Sequence, residues 1–372
     1  MVRLPEGIRK VLEKLVRDLS AQEAVSGVGL FGSWSRGDAV PSSDADLLIV
    51  STRNFDYEYV ERLEFEGLLI DLNYIPKDWI TGPVPPEIDQ KIYEVNVLYD
   101  RDWSLTNTKE WMSKTYRKPE RVDIRTEAWL VDSDMYLSRA SSASTRGDFQ
   151  SACLFASLGM ECILKIPIEV SQLPISNSHF IEALQKSLEK MEMSDLFTRY
   201  IAAARLSRMD QTGAQEKLDL FRAASEDVAS LMRDHSSILD SLHSKVKAAL
   251  QYYGKPALLR GMVDRTKAMI DAGTGVEAAH YVLRTLAAMI ENYAWLASAV
   301  EGVKLNSTTL FRSLRGFKKT PARVYKSAVE AFNIGDVSRE EAEEAVKSAR
   351  ETTFSLRQRR KQLIRKFVKL PA

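Results

Sequence analysis

Three aspartates stand where a carboxylate is expensive to keep. Asp44 and Asp46 belong to "SDADLLIV" (43–50), which is otherwise apolar and β-prone, and Asp71 sits among Leu68, Leu69, Ile70 and Leu72. Alternate side chains of a strand share a face, so Asp44 and Asp46 project to one side while Ala45 and Leu47 face the other. Two adjacent carboxylates repel and lose hydration, and the pair becomes favourable when hard divalent cations such as Mg2+ lie between them. Asp71, from another strand, supplies a third ligand. Upstream, Gly32-Ser33 closes one apolar stretch and opens a short helix through Trp34, Ser35 and Arg36. The free N–H groups at such a start, with the Ser33 hydroxyl, suit a phosphate; Arg36 adds positive charge and Ser43 another hydroxyl. The two cysteines, Cys153 and Cys162, and the four histidines, His179, His235, His243 and His280, lack zinc-site spacing, so any metal is expected on oxygen ligands.

These residues need strands to hold them. Apolar positions Ile8, Val11, Leu12, Leu15, Val16 and Leu19 predict an amphipathic helix over 5–19. Strands are predicted at 28–31 and 44–50, as a hairpin turning at Glu66-Gly67, and at 93–100. "TGPVPPEI" (81–88) reads as a surface loop, and the polar "SKTYRKPERVD" (113–123) as a connection. From about 124 strand signals vanish, and helices are predicted at 124–145, 148–165, 178–192, 194–208, 213–250, 256–272, 275–301, 306–315, 320–332 and 338–367. The expected class is α+β: a small α/β head with a mixed sheet over 1–112, then a long all-α region divided into 124–250 and 256–372. Residues 146–165 and 273–292 are weakly similar, which suggests a duplicated helical module.

An apolar residue, Gly-Ser, ten residues, Asp-x-Asp on a strand and a lone Asp on a later strand: "FGSWSRGDAVPSSDADLLIV" carries this pattern over its full length. It resembles the nucleotidyltransferase superfamily typified by DNA polymerase β and by the minimal and kanamycin nucleotidyltransferases. The resemblance is close over 25–75 and looser over 1–105, where "VNVLYDRD" is similar to the last strand of minimal members. It implies that Gly32 and Ser33 hold the β- and γ-phosphates of a nucleoside triphosphate, with Arg36 and Ser43 beside them. It implies further that Asp44 and Asp46 hold two Mg2+ ions, while Asp71 completes the second metal and orients or deprotonates an attacking hydroxyl. The implied reaction is in-line displacement at the α-phosphorus with loss of pyrophosphate. Archaeal and eukaryotic CCA-adding enzymes resemble the chain only in this motif. Helical bodies on such heads often resemble nucleotide-binding helical domains, some of them RNases with Arg-x4–6-His; that spacing is absent here.

Charge is unevenly distributed. Residues 1–100 carry 10 Lys/Arg against 18 Asp/Glu, and the remainder 42 against 33. The basic C-terminal stretch 357–370 suits a packed helix with a solvated rim, and also RNA phosphates. Glu161 in an apolar helix reads first as a salt-bridged structural residue and second as a general base. Trp103, Trp111, Trp129, Tyr116 and Tyr136 read as packing around the junction of head and body, or as a stacking surface for a base or sugar. No apolar run approaches the roughly 18 residues of a membrane span and no signal peptide is visible, so the cytoplasm is the expected compartment. The acceptor stays open among a small molecule, an RNA 3′ end and a protein side chain. The alternative is a catalytically degenerate nucleotide-binding or scaffold protein.

Overall fold

The computed structural model describes residues 4–368. The chain runs α1 (Glu6–Ser20), β1 (Val25–Phe31), α2 (Gly32–Arg36), β2 (Ala45–Ser51), β3 (Tyr59–Phe65), β4 (Leu68–Pro76), α3 (Asp78–Thr81), α4 (Asp89–Glu94), β5 (Asn96–Asp100) and α5 (Ser104–Thr115). Helices follow: α6 (Pro119–Thr145), α7 (Phe149–Val170), α8 (Phe180–Lys190), α9 (Ser194–Ala203), α10 (Gln211–Asp234), α11 (Ser236–Ser241), α12 (Ser244–Tyr253), α13 (Pro256–Asp271), α14 (Gly275–Glu301), α15 (Leu310–Gly316), α16 (Ala322–Ala331) and α17 (Arg339–Phe367). The fold is α+β, a five-stranded mixed sheet followed by a long helical region.

Two compact units result. The head combines the chain up to Tyr116 with His243–Arg265, and the helical unit combines Arg117–Leu242 with the chain from Thr266 onward. This division differs from the expected 1–112, 124–250 and 256–372, because α12 and the first part of α13 join the sheet and the flanking helices form one unit. The helix expected over 213–250 is three helices, with breaks at His235 (φ −127°, ψ 42°) and Leu242 (φ −71°, ψ 159°). "DHSSILDSLHS" (234–244) is rich in side chains that bond local backbone in place of the helix ladder. His243 Nδ1 accepts from the Lys245 N–H and so starts α12.

In the head the strand order is β3-β4-β2-β1-β5; β2 and β4 are parallel and the other pairs antiparallel. The β3–β4 hairpin turns on Glu66 and Gly67, both at positive φ (50° and 83°), the geometry of a two-residue loop matched to strand twist. The strand expected over 93–100 begins only at Asn96, since Tyr93 and Glu94 close α4. Both faces of the sheet are covered, which explains the unbroken apolar run of β2. Leu47, Ile49, Ile70 and Leu72 pack with Leu12, Leu15 and Leu19 of α1, while Leu48, Val50 and Ile75 pack with Ile80, Ile92, Leu105 and Met112.

In the helical unit α7 is the central apolar helix. It is long and apolar enough to cross a membrane by length and composition, with 89% of its apolar window buried inside the structure. Glu161 and Lys165 interrupt the run, which is why no continuous stretch is visible in the sequence. Asp148 caps its start: one oxygen accepts from the Ser151 N–H (3.2 Å), the other from the Ser151 hydroxyl (2.7 Å) and the Arg312 N–H (3.0 Å). Asp148→Ala removes the cap and the tie to α15, and should lower stability by about 2 kcal/mol. A fall in the urea midpoint at unchanged slope is the expected reading.

Candidate active site

Strand register puts charged residues in one row across the sheet. Arg62 of β3 pairs with Asp71 of β4, Asp71 with Asp46 of β2, and Asp46 with Phe31, the residue before Gly32. Asp44 lies just ahead of β2, at the end of a turn in which Ser43 N–H donates to the Val40 carbonyl (2.8 Å) and Val40 N–H to the Ser43 hydroxyl (2.9 Å). The three aspartates named from the sequence lie near one another, Asp46 and Asp71 through strand register and Asp44 from the turn, since the strand expected from residue 44 begins at Ala45.

Their partners are two arginines. Arg62, 3% exposed, donates from Nε to Asp71 Oδ1 (2.6 Å) and from Nη2 to Asp71 Oδ2 (2.5 Å), and the same Nη2 reaches Asp44 Oδ2. Arg265 of α13 donates to the other oxygen of Asp44, and the Tyr252 hydroxyl of α12 lies 3.4 Å from Asp71 Oδ2. Burial raises the Asp44 pKa, but Arg265 and then Arg62 outweigh it and the net displacement is downward. Asp71 shares a single arginine with Asp44, and burial leaves its pKa raised. Asp46 has no hydrogen-bond or ion-pair partner among the described residues. Burial first, then the charges of Asp44 and Asp71, push its pKa well above the ordinary value of 3.8.

The glycine-serine turn presses against this carboxylate. Gly32 has φ +72°, and a Cβ there would stand 2.4 Å from Asp46 Oδ2, so only glycine fits. The Ser33 hydroxyl has no partner among the described residues. Arg36 is held by Glu94 (2.7 Å) and Asp38 (3.0 Å), and Ser43 by its turn, so both are engaged in local structure. Among the described residues no group of three His, Cys, Asp or Glu is arranged to hold a metal ion, since Arg62 and Arg265 occupy the oxygens of Asp44 and Asp71, while Asp46 keeps some access to solvent.

Sequence reading missed Arg62, Arg265 and Tyr252. Arg62 was recoverable, since a two-residue turn at 66–67 sets the hairpin register and places it opposite Asp71. Nothing local announces Arg265 or Tyr252, which arrive from far along the chain.

Most other residues singled out from the sequence are engaged within their own unit, and Trp103 and Trp111 are exposed. Glu161 is buried in the helical unit, paired with Arg284 (2.9 Å) and near His280 (3.7 Å). Burial opposes its charge, but Arg284 and then His280 hold its pKa down at about 2. A cavity of about 40 Å3 lies beside this group, lined also by Tyr200 and Arg205. Within 357–370, Leu356, Leu363 and Ile364 are buried beside it or in it, Arg360 is buried against Asp123 and Glu127, and Arg357 pairs with Asp134; Lys369 and Leu370 lie outside the described residues. Tyr116 stacks on Tyr93 in the head (4.1 Å between centroids), Lys165 sits over Trp129 in the helical unit, and Trp103 is 68% exposed.

Residues 8–104 match the family model of the nucleotidyltransferase domain, the family that the motif resembles. Among solved structures, a nucleotidyltransferase-like protein from Exiguobacterium sibiricum is similar over 88% of this chain and 89% of its own, at 10% identity and a TM-score of 0.32. No curated protein matches the chain.

Asp46→Asn removes the unpartnered charge. Without divalent ions the variant should be more stable than the parent at neutral pH, read as a higher urea midpoint. A folded-state pKa above the unfolded one means that acid favours the folded parent. The difference should therefore close as pH falls below the ordinary aspartate value of 3.8. A less stable variant at neutral pH contradicts this account.

Proposed function

We propose that the chain transfers a nucleoside monophosphate from a nucleoside triphosphate to an acceptor hydroxyl, with release of pyrophosphate. The observation that carries the reading is the convergence of Asp44, Asp46 and Asp71 beside a Gly32-Ser33 turn inside a nucleotidyltransferase domain. In this reading the Gly32-Ser33 backbone and the Ser33 hydroxyl receive the terminal phosphates. Asp44, Asp46 and Asp71 would hold two Mg2+ ions, which when bound supply positive charge to the phosphate oxygens and the attacking hydroxyl. Asp71, at the centre of the row, orients the acceptor hydroxyl and draws its proton. Arg265, from α13, sits where it can contribute charge to the phosphates once Asp44 is otherwise neutralised.

The acceptor is a hydroxyl on a small molecule, a protein or an RNA end. Of the basic stretch that first suggested RNA, Arg360 is tied into helix packing and Arg357 pairs with Asp134 at the surface, while Arg359, Lys361, Arg365 and Lys366 are exposed. A nucleotide-binding or scaffold role without turnover draws on one observation, the arginines already paired with Asp44 and Asp71.

Incubation with Mg2+ and each α-labelled nucleoside triphosphate in the presence of a cell extract should release pyrophosphate and move label into the RNA, protein or metabolite fraction. Asp44→Asn should reduce this by on the order of 10³-fold or more with the fold intact. Undiminished activity in the variant removes the mechanism; no label in any fraction favours the scaffold role.

A further inference from the structure

Inside the helical unit, α7, α9 and α14 gather polar side chains around a small cavity. Glu161 of α7 pairs with Arg284 Nε of α14 (2.9 Å), and one turn earlier on α14 stands His280, 4% exposed. Its ring is stacked on Phe180 (4.9 Å between centroids), and its Nε2 lies 2.8 Å from the Tyr200 hydroxyl of α9. That leaves two nitrogens over: His280 Nδ1 and Arg284 Nη1 are buried and have no partner among the described residues. Buried nitrogens are seldom left so, because the hydration they give up is not recovered elsewhere.

Proton placement follows from the partners. Among the described residues the Tyr200 hydroxyl has only His280 Nε2 to donate to, so Nδ1 carries a proton whether the ring is neutral or charged. Arg284 Nη1 is a donor in every state. Two buried donors four residues apart on one helix face therefore call for acceptor oxygens. The cavity, about 40 Å3, has room for about three water molecules or for a carboxylate on a short chain. Glu161 and Arg284 offset each other, the half-buried Arg205 lines the same cavity with a further positive charge, and Leu158, Leu283 and Phe332 supply apolar wall. One excess cation, two N–H donors and an apolar wall suit a monoanion with a hydrocarbon body better than an inorganic ion.

We infer that the helical unit holds a ligand site of its own, in which His280 Nδ1 and Arg284 Nη1 donate to the carboxylate of a small aliphatic acid while Arg205 balances its charge. The inference goes beyond the transfer reading and is independent of it, since every residue it uses lies in the helical unit.

Propionate is the probe, with propionamide as its uncharged counterpart and chloride as a simple anion. At constant ionic strength the full-length protein should show saturation transfer to propionate and a higher melting temperature in its presence. Its affinity for propionate should exceed that for propionamide or chloride roughly tenfold, the difference a charged hydrogen-bond partner makes. His280→Gln keeps a polar atom near the Nε2 position and removes the Nδ1 donor; Arg205→Gln removes the excess charge at a half-buried position. Each should weaken propionate binding several-fold, and Arg205→Gln also serves if His280→Gln proves unfolded by its melt. Propionate bound no more tightly than propionamide or chloride, or bound unchanged by the folded variants, overturns the inference and leaves a hydrated structural cluster, with the transfer reading untouched.

Discussion

The crowding of three carboxylates, Asp44, Asp46 and Asp71, in a poorly hydrated place is the constraint that the head has to satisfy. A parallel pair of strands sets Asp46 and Asp71 side by side, and Asp44 adds a third carboxylate at the end of the adjoining turn. Like charges in a poorly hydrated place are tolerated only when compensated. Around them the structure supplies Arg62 from the neighbouring strand and Arg265 from a distant helix, whose charges partly offset the repulsion on Asp46 without hydrogen-bonding to it. Asp46 lies beside a glycine turn with no room for a side chain.

Much of this was legible in the amino acids. Period-two alternation suggested that Asp44 and Asp46 share a side, although the strand itself begins only at Ala45, and an acid flanked by leucines marked Asp71 as an exception to an apolar strand. The Glu66-Gly67 turn fixed the hairpin, and with it the pairing of Arg62 with Asp71 could have been written down, because register follows from turn length; the parallel pairing of Asp71 with Asp46 could not. Arg36 shows the limit of motif reasoning: its place suggested a phosphate, while its neighbours Glu94 and Asp38 already hold it. What lay beyond reach was the return of residues 243–265 to the sheet. Helical periodicity across 213–250 looks continuous, and the breaks at His235 and Leu242 fall in a stretch of Ser, His and Asp residues, side chains that compete with the helix ladder for backbone groups.

The helical unit illustrates how charge can be mistaken for function. Glu161 invited a chemical reading and is absorbed by partners within the unit, Arg284 and His280; of the basic end of α17 only Arg360 is buried, against Asp123 and Glu127, while Arg357, Arg359, Lys361, Arg365 and Lys366 stay exposed. A buried ion pair such as that of Glu161 is poor support for catalysis, since it satisfies itself. By contrast, Asp46 is notable for what does not neutralise it.

The discontinuity of the head bears on the order in which the protein is made. Residues 243–265 carry five Lys/Arg and one Asp, against the acidic excess of the first hundred residues. A ribosome releasing the chain from its N-terminus completes the sheet, with its aspartates and Arg62, more than a hundred residues before Arg265 and Tyr252 exist. For that interval the nascent domain is an acidic surface whose own basic complement has not yet been translated, and its maturation waits on the late arrival of a short cationic segment.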